Sequence, residues 1–363
     1  MSNSDSRPRP QPPSGSAGSG FLLDLEGVSG LRAYLVGRGL AEAGEALTAE
    51  RAGEGNMNCV IRVKLPARSL ILKQARPWVE KYPSIAAPVE RASAEARFYR
   101  FAAQDADVAA RMPRLLDFDE NSALLILEDF SPASTWADCY EGALSLDGRR
   151  LRELSRYTSA LHRMTVPSRE KPLFRNEAMR RLNHEHIFDV PLRAEGSLAE
   201  RLDQITPGLY QAGETLRRDG AFRKAVEDLG RRYLEQEGTA LIHGDFFPGS
   251  LLRIGDGGLR VIDPEFSFCG DPEFDIGVFY AHLLLSGQKD GMVGLWLRLA
   301  LQSTPHSESL SLQYAGVEIM RRILGVAQLP ISRSLEFKTS LLERSREMLL
   351  GSRESGENAD SER

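Results

Sequence analysis

The sequence has few cysteines and no long hydrophobic run, and each absence excludes a class of protein. Its three cysteines, Cys59, Cys139 and Cys269, are an odd number without metal-site spacing, so neither a disulfide framework nor a zinc module is indicated. We expect them to be small buried side chains. The longest apolar run, around residues 276–285, is about half of the ~20 residues that a membrane-spanning helix needs.

The chain also lacks an excess of charge of either sign. It has 46 basic and 51 acidic residues, a net charge of −5, and the two signs are interspersed, which gives no support for nucleic-acid binding as the main activity. The N-terminus lacks the hydrophobic stretch of a secretory signal. Together these features predict a cytoplasmic protein that binds neither nucleic acid nor membrane.

Both ends of the chain are poor in apolar residues. The first 20 residues contain six Ser, four Pro and three Gly, a composition that cannot offset the entropy lost on ordering. We therefore predict a disordered tail over residues 1–20 and a second polar tail over 351–363. The 363 residues exceed the size at which a single core usually stops growing, which favours two lobes.

Between the tails the hydrophobic pattern changes once. Residues 46–74 alternate between apolar and polar side chains, which predicts an antiparallel meander, and 114–130 predict two more strands. An apolar stripe after Pro88 predicts one helix between them. From about residue 145 the segments have helical periodicity. We predict an α+β architecture: a β-rich N-terminal lobe with one helix, 21–130, and a larger, mainly helical lobe, 131–350.

One hairpin interrupts the helical half. In "HGDFFPGSLLRIGDGGLRVIDPEF", residues 243–266, two short apolar strands flank a glycine-rich turn. If the turn comprises the four residues 255–258, Ser250 lies opposite Asp263, close enough for one metal ion to bridge both strands.

Two more carboxylates lie at the same end of this hairpin. Asp245 is in the loop that enters it and Glu265 follows its exit, so the spacing gathers hard oxygen donors and one further carboxylate at one edge of a small sheet. Magnesium-dependent phosphoryl transfer needs such a set, because it uses metal ligands and a separate proton acceptor. Each carboxylate alone could be structural, but the whole set favours phosphoryl transfer.

The motifs "HGDFFPGS", "IDPEF" and "FDIG" resemble the catalytic segment of the aminoglycoside phosphotransferase and choline kinase superfamily. The resemblance implies a protein-kinase-like, two-lobed fold. A serine at position 250, where most members have asparagine, together with "DPEF", "GEGNMN" and "RRILGVA", resembles the 5-methylthioribose kinases. The resemblance extends from about residue 45 to 330.

The resemblance implies a role for each matching residue of the hairpin. Asp245 would be the catalytic base, and His243 would brace its loop without taking part in proton transfer. Asp275, in "FDIG", would fix the loop from the following helix. The implied magnesium ligands are Asp263, Glu265 and Ser250.

A nucleotide site is indicated in the N-terminal half. Lys73 ends a predicted strand and Glu95 follows on the predicted helix, the order in which kinase-like folds pair a lysine and a glutamate to position the α and β phosphates of ATP. A surface charge pair is the alternative.

Backbone groups at Glu128 to Phe130 are expected to bind adenine, unless they are simply a buried strand end. The turn "AGEGNMN" could cap phosphates, or be an ordinary hairpin turn; its candidates are Gly53, Gly55, Asn56 and Asn58.

Arg321 and Arg322 lie inside an otherwise apolar helical segment. Adjacent helix residues point about 100° apart, so exposing both arginines to water would interrupt the apolar face. One alternative is that one arginine is salt-bridged and the other solvated. The resemblance instead implies that both line the sugar site. Such a pair suits a neutral sugar that becomes a phosphate ester and repels polycationic aminoglycosides.

Two stretches depart from the methylthioribose kinase pattern: residues 246–248, Phe-Phe-Pro, and "VEKYPSIAAPVERA" before the first helix. We expect an ATP- and Mg²⁺-dependent small-molecule kinase acting on a sugar hydroxyl, either O1 of 5-methylthioribose, as in methionine salvage, or a related 5-substituted pentose. The alternatives are a phosphotransferase for an aminoglycoside, another antibiotic, an amino alcohol or homoserine, and a non-catalytic nucleotide-binding module. The oligomeric state stays open, a homodimer included.

Overall fold

The structure is a computed structural model that describes residues 20–25, 27–53, 57–193, 197–238, 240–255, 257–302, 306–326, 328–329, 331 and 333–351. The predicted tails, 1–20 and 351–363, lie outside these residues except for their inner ends, Gly20 and Gly351. The candidate phosphate-binding residues Gly55 and Asn56 also lie outside them.

The described residues form strands mainly in the first third of the chain and helices mainly in the rest. The strands are β1 (Thr48–Arg51), β2 (Cys59–Lys64), β3 (Ser69–Gln74), β4 (Trp78–Val79), β5 (Tyr82–Ala86), β6 (Leu115–Asp119), β7 (Leu124–Glu128), β8 (Ala133–Thr135), β9 (Ala240–Ile242), β10 (Leu251–Ile254), β11 (Leu259–Val261) and β12 (Phe268–Gly270). The helices are α1 (Val28–Gly37), α2 (Arg91–Ala102), α3 (Ala106–Ala109), α4 (Gly148–Arg163), α5 (Glu177–His184), α6 (Val190–Arg193), α7 (Ser197–Ile205), α8 (Leu209–Arg218), α9 (Gly220–Glu235), α10 (Pro272–Leu285), α11 (Asp290–Leu301), α12 (Glu308–Leu324) and α13 (Leu335–Leu350).

The elements group into two compact units. The first comprises the residues up to 96 together with 114–131, and the second comprises 97–113 together with the residues from 132 onwards. Residues 97–113, which the prediction assigned to the first lobe, belong to the second unit because their side chains pack there. Phe101, for example, contacts Phe174 with ring centroids 5.4 Å apart.

The first unit is built on an antiparallel five-stranded sheet with the order β1-β2-β3-β7-β6. The predicted meander over residues 46–74 is therefore confirmed. Val60 pairs with Lys73, and Ile61 pairs with Leu72, so these two pairs point to opposite faces of the sheet. Ile61 and Leu72 share a buried core with Leu31 of α1, which leaves Lys73 on the other face.

The second unit is organised around α10 and α12. Gly277 of α10 allows these helices to approach closely, because a Cβ atom at this position would lie 2.3 Å from the Ser311 backbone oxygen of α12. The small sheets of this unit are β11-β10-β8 and β12-β9. Among the described residues, no helix combines the length and apolar character required to cross a bilayer.

The register of the β10–β11 hairpin differs from the predicted one by one residue. The Ile254 backbone N–H donates to the Gly258 carbonyl at 3.1 Å, and the Ile262 N–H donates to the Ser250 carbonyl at 2.9 Å. Ser250 therefore lies opposite Ile262, and the prediction that it lies opposite Asp263 was wrong. Ile254 and Gly258 are the pair that closes the hairpin, and Gly257 has a φ of +79°, the left-handed conformation that closes short turns.

Candidate active site

The loop that follows β9 is held by a buried carboxylate. Asp275, in the first turn of α10, is fully buried and accepts hydrogen bonds from the backbone N–H groups of His243, at 2.8 Å, and Gly244, at 3.0 Å. His162 Nε2, on α4, lies 3.0 Å from the same carboxylate. Asp275 therefore fixes the position of the loop from the following helix.

The next residues of the loop explain the "HGD" motif. Gly244 has a φ of +82°, and a Cβ atom there would lie 2.1 Å from the Phe266 carbonyl oxygen, so only glycine fits. His243 Nε2 lies 2.9 Å from the Ile262 carbonyl, which can only accept a hydrogen bond. Nε2 therefore carries the hydrogen, and Nδ1 accepts a hydrogen bond from the Asp245 N–H at 3.4 Å. Burial lowers the pKa of His243, which favours this neutral, bracing form.

The carboxylate of Asp245 makes only long contacts with the two arginines beside it. Its Oδ1 atom lies 3.4 Å from Arg322 Nη2 and 3.8 Å from Arg321 Nη1. Burial raises the pKa of Asp245, and Arg322 and Arg321 offset part of this rise. A carboxylate with a raised pKa and long contacts can accept a proton from a nearby hydroxyl.

Arg321 and Arg322 converge on one carboxylate one helical turn earlier. Glu318 Oε1 lies 2.6 Å from Arg322 Nε, and Glu318 Oε2 lies 3.1 Å from Arg321 Nη1. Both arginine side chains are more than nine-tenths buried. The alternative in which one arginine is paired and the other is solvated is therefore excluded.

The candidate magnesium ligands follow on either side of the hairpin. Ser250 is buried and its hydroxyl donates to the Asp245 backbone carbonyl at 3.0 Å, which leaves the oxygen lone pairs available. Asp263 has a φ of +64°, a left-handed conformation that is uncommon outside glycine and clusters at functional sites. Glu265 is buried, and its backbone oxygen accepts a hydrogen bond from Asn176 Nδ2 at 2.9 Å.

These donors suit a magnesium ion that also binds water and phosphate oxygens better than they suit a metal site made entirely of protein ligands. Within the described ranges, no group of three or more His, Cys, Asp or Glu side chains is arranged to hold a metal ion. Magnesium in kinases is usually held by one or two carboxylates, while waters and phosphate oxygens complete its shell. Asp263 and Glu265 can supply those carboxylates.

In the first unit, the predicted lysine–glutamate contact is present. Lys73 Nζ, on the face of the sheet opposite Ile61 and Leu72, lies 2.6 Å from Glu95 Oε2 of α2. The two side chains are 4% and 1% exposed, so the surface-pair alternative does not hold. This pair fixes a long cation in one position, which is what phosphate binding requires.

The glycine turn before β2 is tied to α2 by an arginine that sequence reasoning missed. Arg91 is fully buried; its Nε donates to Asn58 Oδ1 at 2.9 Å and its Nη2 donates to the Met57 carbonyl at 3.1 Å. The Asn58 side chain is therefore engaged by Arg91. Gly53 has a φ of +70°, so the turn does need a glycine there.

The predicted adenine-binding segment follows β7. The Glu128 carboxylate accepts hydrogen bonds from the Arg114 backbone N–H at 3.2 Å and from Arg114 Nε at 3.3 Å, so its side chain is engaged in pairing. Asp129 is held by Arg62, with Oδ2 and Nε 2.7 Å apart. Phe130 is half-buried. These contacts hold Glu128 and Asp129, two residues of the segment whose backbone the adenine prediction uses.

Several supporting residues carry no obvious local signal. Glu318 could have been found from its spacing of three and four residues before the arginine pair. His282 contacts Glu318 and Tyr140 contacts His282, but the two residues lie on separate segments and nothing in those segments pointed to them. His186, on the short π-helix Glu185–Asp189, lies near Arg321; burial and this guanidinium lower the pKa of His186. π-Helical turns often mark functional sites.

The chain is similar to known phosphotransferases over most of its length. Residues 48–307 match the phosphotransferase enzyme family, APH. The methylthioribose kinase of Exiguobacterium sibiricum is 26% identical, over 84% of this chain and 86% of that protein. The methylthioribose kinase of Pectobacterium atrosepticum is 31% identical, over 68% of this chain and 62% of that protein.

Two solved structures show the same fold. A spectinomycin phosphotransferase in complex with ADP and spectinomycin has a TM-score of 0.50 at 12% identity, covering 84% of this chain and 92% of that one. A choline kinase from Cryptosporidium parvum Iowa II has a TM-score of 0.50 at 14% identity, covering 90% and 96%.

The chain belongs to the APH phosphotransferase enzyme family. It is an ATP-dependent small-molecule kinase that phosphorylates a hydroxyl group, with the two-lobed, protein-kinase-like fold of this family. The predictions of family, fold class and enzyme class are confirmed.

Proposed function

We propose that this kinase transfers the γ-phosphoryl group of ATP, with Mg²⁺, to a hydroxyl of a neutral sugar, namely O1 of 5-methylthioribose or of a related 5-substituted pentose. The observation that carries the proposal is the arginine pair: Arg321 Nη1 and Arg322 Nη2 lie 3.8 and 3.4 Å from Asp245 Oδ1. Donors beside the base can contact the hydroxyls of the acceptor or the phosphoryl group that it receives.

The residues of the second unit divide the reaction between them. Asp245 takes the proton of the attacking hydroxyl, whose oxygen forms the new bond to the γ-phosphorus while the bond to the β-phosphate oxygen breaks and ADP leaves. Arg321 and Arg322 stabilise the negative charge that the sugar acquires. His243 keeps the backbone of the base in place.

ATP and metal binding complete the proposal. Lys73, fixed by Glu95, positions the α and β phosphates. Asp263 and Glu265, with Ser250 beside them, would hold Mg²⁺, which neutralises phosphate charge when bound.

The charges around the base argue against a cationic acceptor. Glu318 is a second carboxylate near Asp245, but it is buried and already paired with both arginines, so it is not available to bind an ammonium group. Two guanidinium groups repel an aminoglycoside or a quaternary amine. The relatives named methylthioribose kinase support the neutral sugar.

An acceptor panel tests the proposal. The purified full chain is incubated with Mg-ATP and, separately, 5-methylthioribose, ribose, 5-deoxyribose, homoserine, choline and spectinomycin, and ADP release and the ³¹P NMR signal of the product are measured. We expect the highest kcat/KM with the 5-substituted pentoses and a phosphate ester at O1. ADP release with all pentoses at the acceptor-free rate would overturn the sugar proposal. A larger response to homoserine, choline or spectinomycin would assign another acceptor.

A further inference from the structure

We propose that Glu318 is a positioning residue for phosphoryl transfer: it holds the guanidinium groups of Arg321 and Arg322 and so prevents them from closing on Asp245. The inference rests on the proposed function, in which Asp245 is the base and the arginines serve the acceptor. It assigns a role to a side chain that contacts neither ATP nor the hydroxyl.

The distances show how the guanidinium groups are divided. Each arginine lies nearer to Glu318 than to Asp245: 2.6 Å against 3.4 Å for Arg322, and 3.1 Å against 3.8 Å for Arg321. Only the contacts to Glu318 are short charge-assisted hydrogen bonds. Asp245 therefore interacts electrostatically with both guanidinium groups but forms no short hydrogen bond with either of them.

The charge count gives the same conclusion. Two guanidinium groups and two carboxylates sum to zero, whereas the cluster without Glu318 would carry one net positive charge. Asp245 would then be the nearest carboxylate partner of both buried arginines, and a close pairing with them would make it a weaker base. Glu318 therefore maintains the basicity of Asp245.

Glu318 is itself held from the far side. His282 Nε2 lies 3.0 Å from Glu318 Oε1, and the Tyr140 hydroxyl lies 2.5 Å from His282 Nδ1. Because the carboxylate can only accept, His282 Nε2 carries the hydrogen and Nδ1 accepts from Tyr140. All three side chains are buried, so the network Tyr140–His282–Glu318 has one direction of donation and a fixed geometry.

Phe247 covers this network next to the base. Its ring centroid lies 4.8 Å from the Arg322 guanidinium carbon and 5.2 Å from the His282 ring centroid. The aromatic face adds a cation–π contact to Arg322. This residue belongs to the stretch 246–248 that departs from the methylthioribose kinase pattern.

The test is the substitution Glu318→Gln, which keeps the shape and removes the charge. With the most active acceptor of the panel, and separately with water as the acceptor, we expect kcat to fall about 10- to 100-fold while the KM for ATP stays within about twofold. Because the Glu318 charge raises the pKa of Asp245, the acid limb of the kcat/KM profile should move to lower pH. A merely structural role would change the melting temperature but not this limb.

The pH profile must be interpreted with all groups that act on Asp245. They are Arg321, Arg322 and Glu318 on α12, His243 on its own loop, and Tyr140 and Tyr233. The double variant Glu318→Gln/Arg321→Gln removes one charge of each sign, so it should return the acid limb towards its wild-type position. Glu308→Gln, an exposed substitution at the start of α12, is the matched control and should change neither limb nor rate.

Two further variants keep the inference falsifiable. If Glu318→Gln does not fold, as judged by circular dichroism, Tyr140→Phe removes only a hydroxyl and should shift the rate in the same direction, about tenfold or less. A wild-type acid limb and rate in the variant that folds would overturn the inference. An inactive Asp245→Asn beside an unchanged Glu318→Gln overturns the inference alone, whereas a fully active Asp245→Asn overturns the proposed function as well.

Discussion

The two units each contain a buried group of charges, and the two groups are built differently. In the first unit a lysine and a glutamate form a short contact, with Lys73 Nζ and Glu95 Oε2 2.6 Å apart. In the second unit two guanidinium groups are shared by Glu318 and Asp245, and the contacts to Asp245 are the longest, at 3.4 and 3.8 Å.

In the proposed function, the difference follows from what each carboxylate would be required to do. Glu95 has only to hold a lysine, and a short contact compensates part of the cost of burying both charges. Asp245 has to take up a proton, which a short contact to a cation would oppose. A closed pair therefore suits a positioning role, and a shared, loosely contacted carboxylate suits a base.

The comparison predicts its largest effect for Asp245→Asn. The substitution removes the proton acceptor and leaves Lys73 and Glu95 untouched, so turnover should fall by about 10²- to 10⁴-fold while the affinity for ATP changes by less than about twofold. Single-turnover kinetics and calorimetric titration with ATP would measure both. The exposed Asp107→Asn substitution is the control. Weakened ATP binding in Asp245→Asn would contradict the separation of the two roles.

The next effect is expected for Lys73→Met, which leaves the Glu95 carboxylate buried without its cation. Breaking a buried pair in this way typically costs about 3–5 kcal/mol of unfolding free energy, and the affinity for ATP should fall as well. Lys73→Met/Glu95→Leu should recover most of the stability but not the affinity. Urea unfolding and ATP titration of the three proteins would measure the stability and the affinity. Equal stability of wild type and Lys73→Met would show that the Lys73–Glu95 contact does not stabilise the fold.

The Lys73–Glu95 pair could be predicted from the sequence because both partners lie on strongly patterned elements. The segment "SLILKQ" coincides with β3, and the apolar stripe after Pro88 predicts the helix that carries Glu95. The group of Asp245, Glu318 and the two arginines could be predicted only in part. The arginine pair stands out against an apolar helix, but its connection to His282 and Tyr140 joins segments 36 and 142 residues apart, and local patterns contain no information on such contacts.

Two other differences from prediction have local causes. The hairpin register was wrong because a run of glycines permits turns of three or four residues, and only the backbone angles select one. Helix α1 was not predicted, since just two of its ten residues, Leu31 and Leu35, are fully buried against the sheet and its N-cap has no side-chain hydrogen bond.

The smallest effect concerns acid stability. It should originate at His282, which contacts Glu318 of the second group, whereas the Lys73–Glu95 pair contains no histidine. Burial lowers the pKa of His282 from 6.5 to about 4. The folded protein therefore stays unprotonated there while the unfolded chain takes up a proton, so this stability is complete above pH 6.5 and is lost as the pH falls towards 4.

Between pH 7 and pH 5 this difference amounts to about 2 kcal/mol of unfolding free energy. Urea unfolding at both pH values should show that wild type loses more stability than His282→Gln by about this amount. Glutamine can still donate to Glu318 and accept from Tyr140 but does not titrate, and the lowered pKa values of His243 and His306 act equally in both proteins. Equal losses would mean that His282 is protonated in the folded state, and then its ring could not accept the Tyr140 hydrogen bond on which the direction of the network depends.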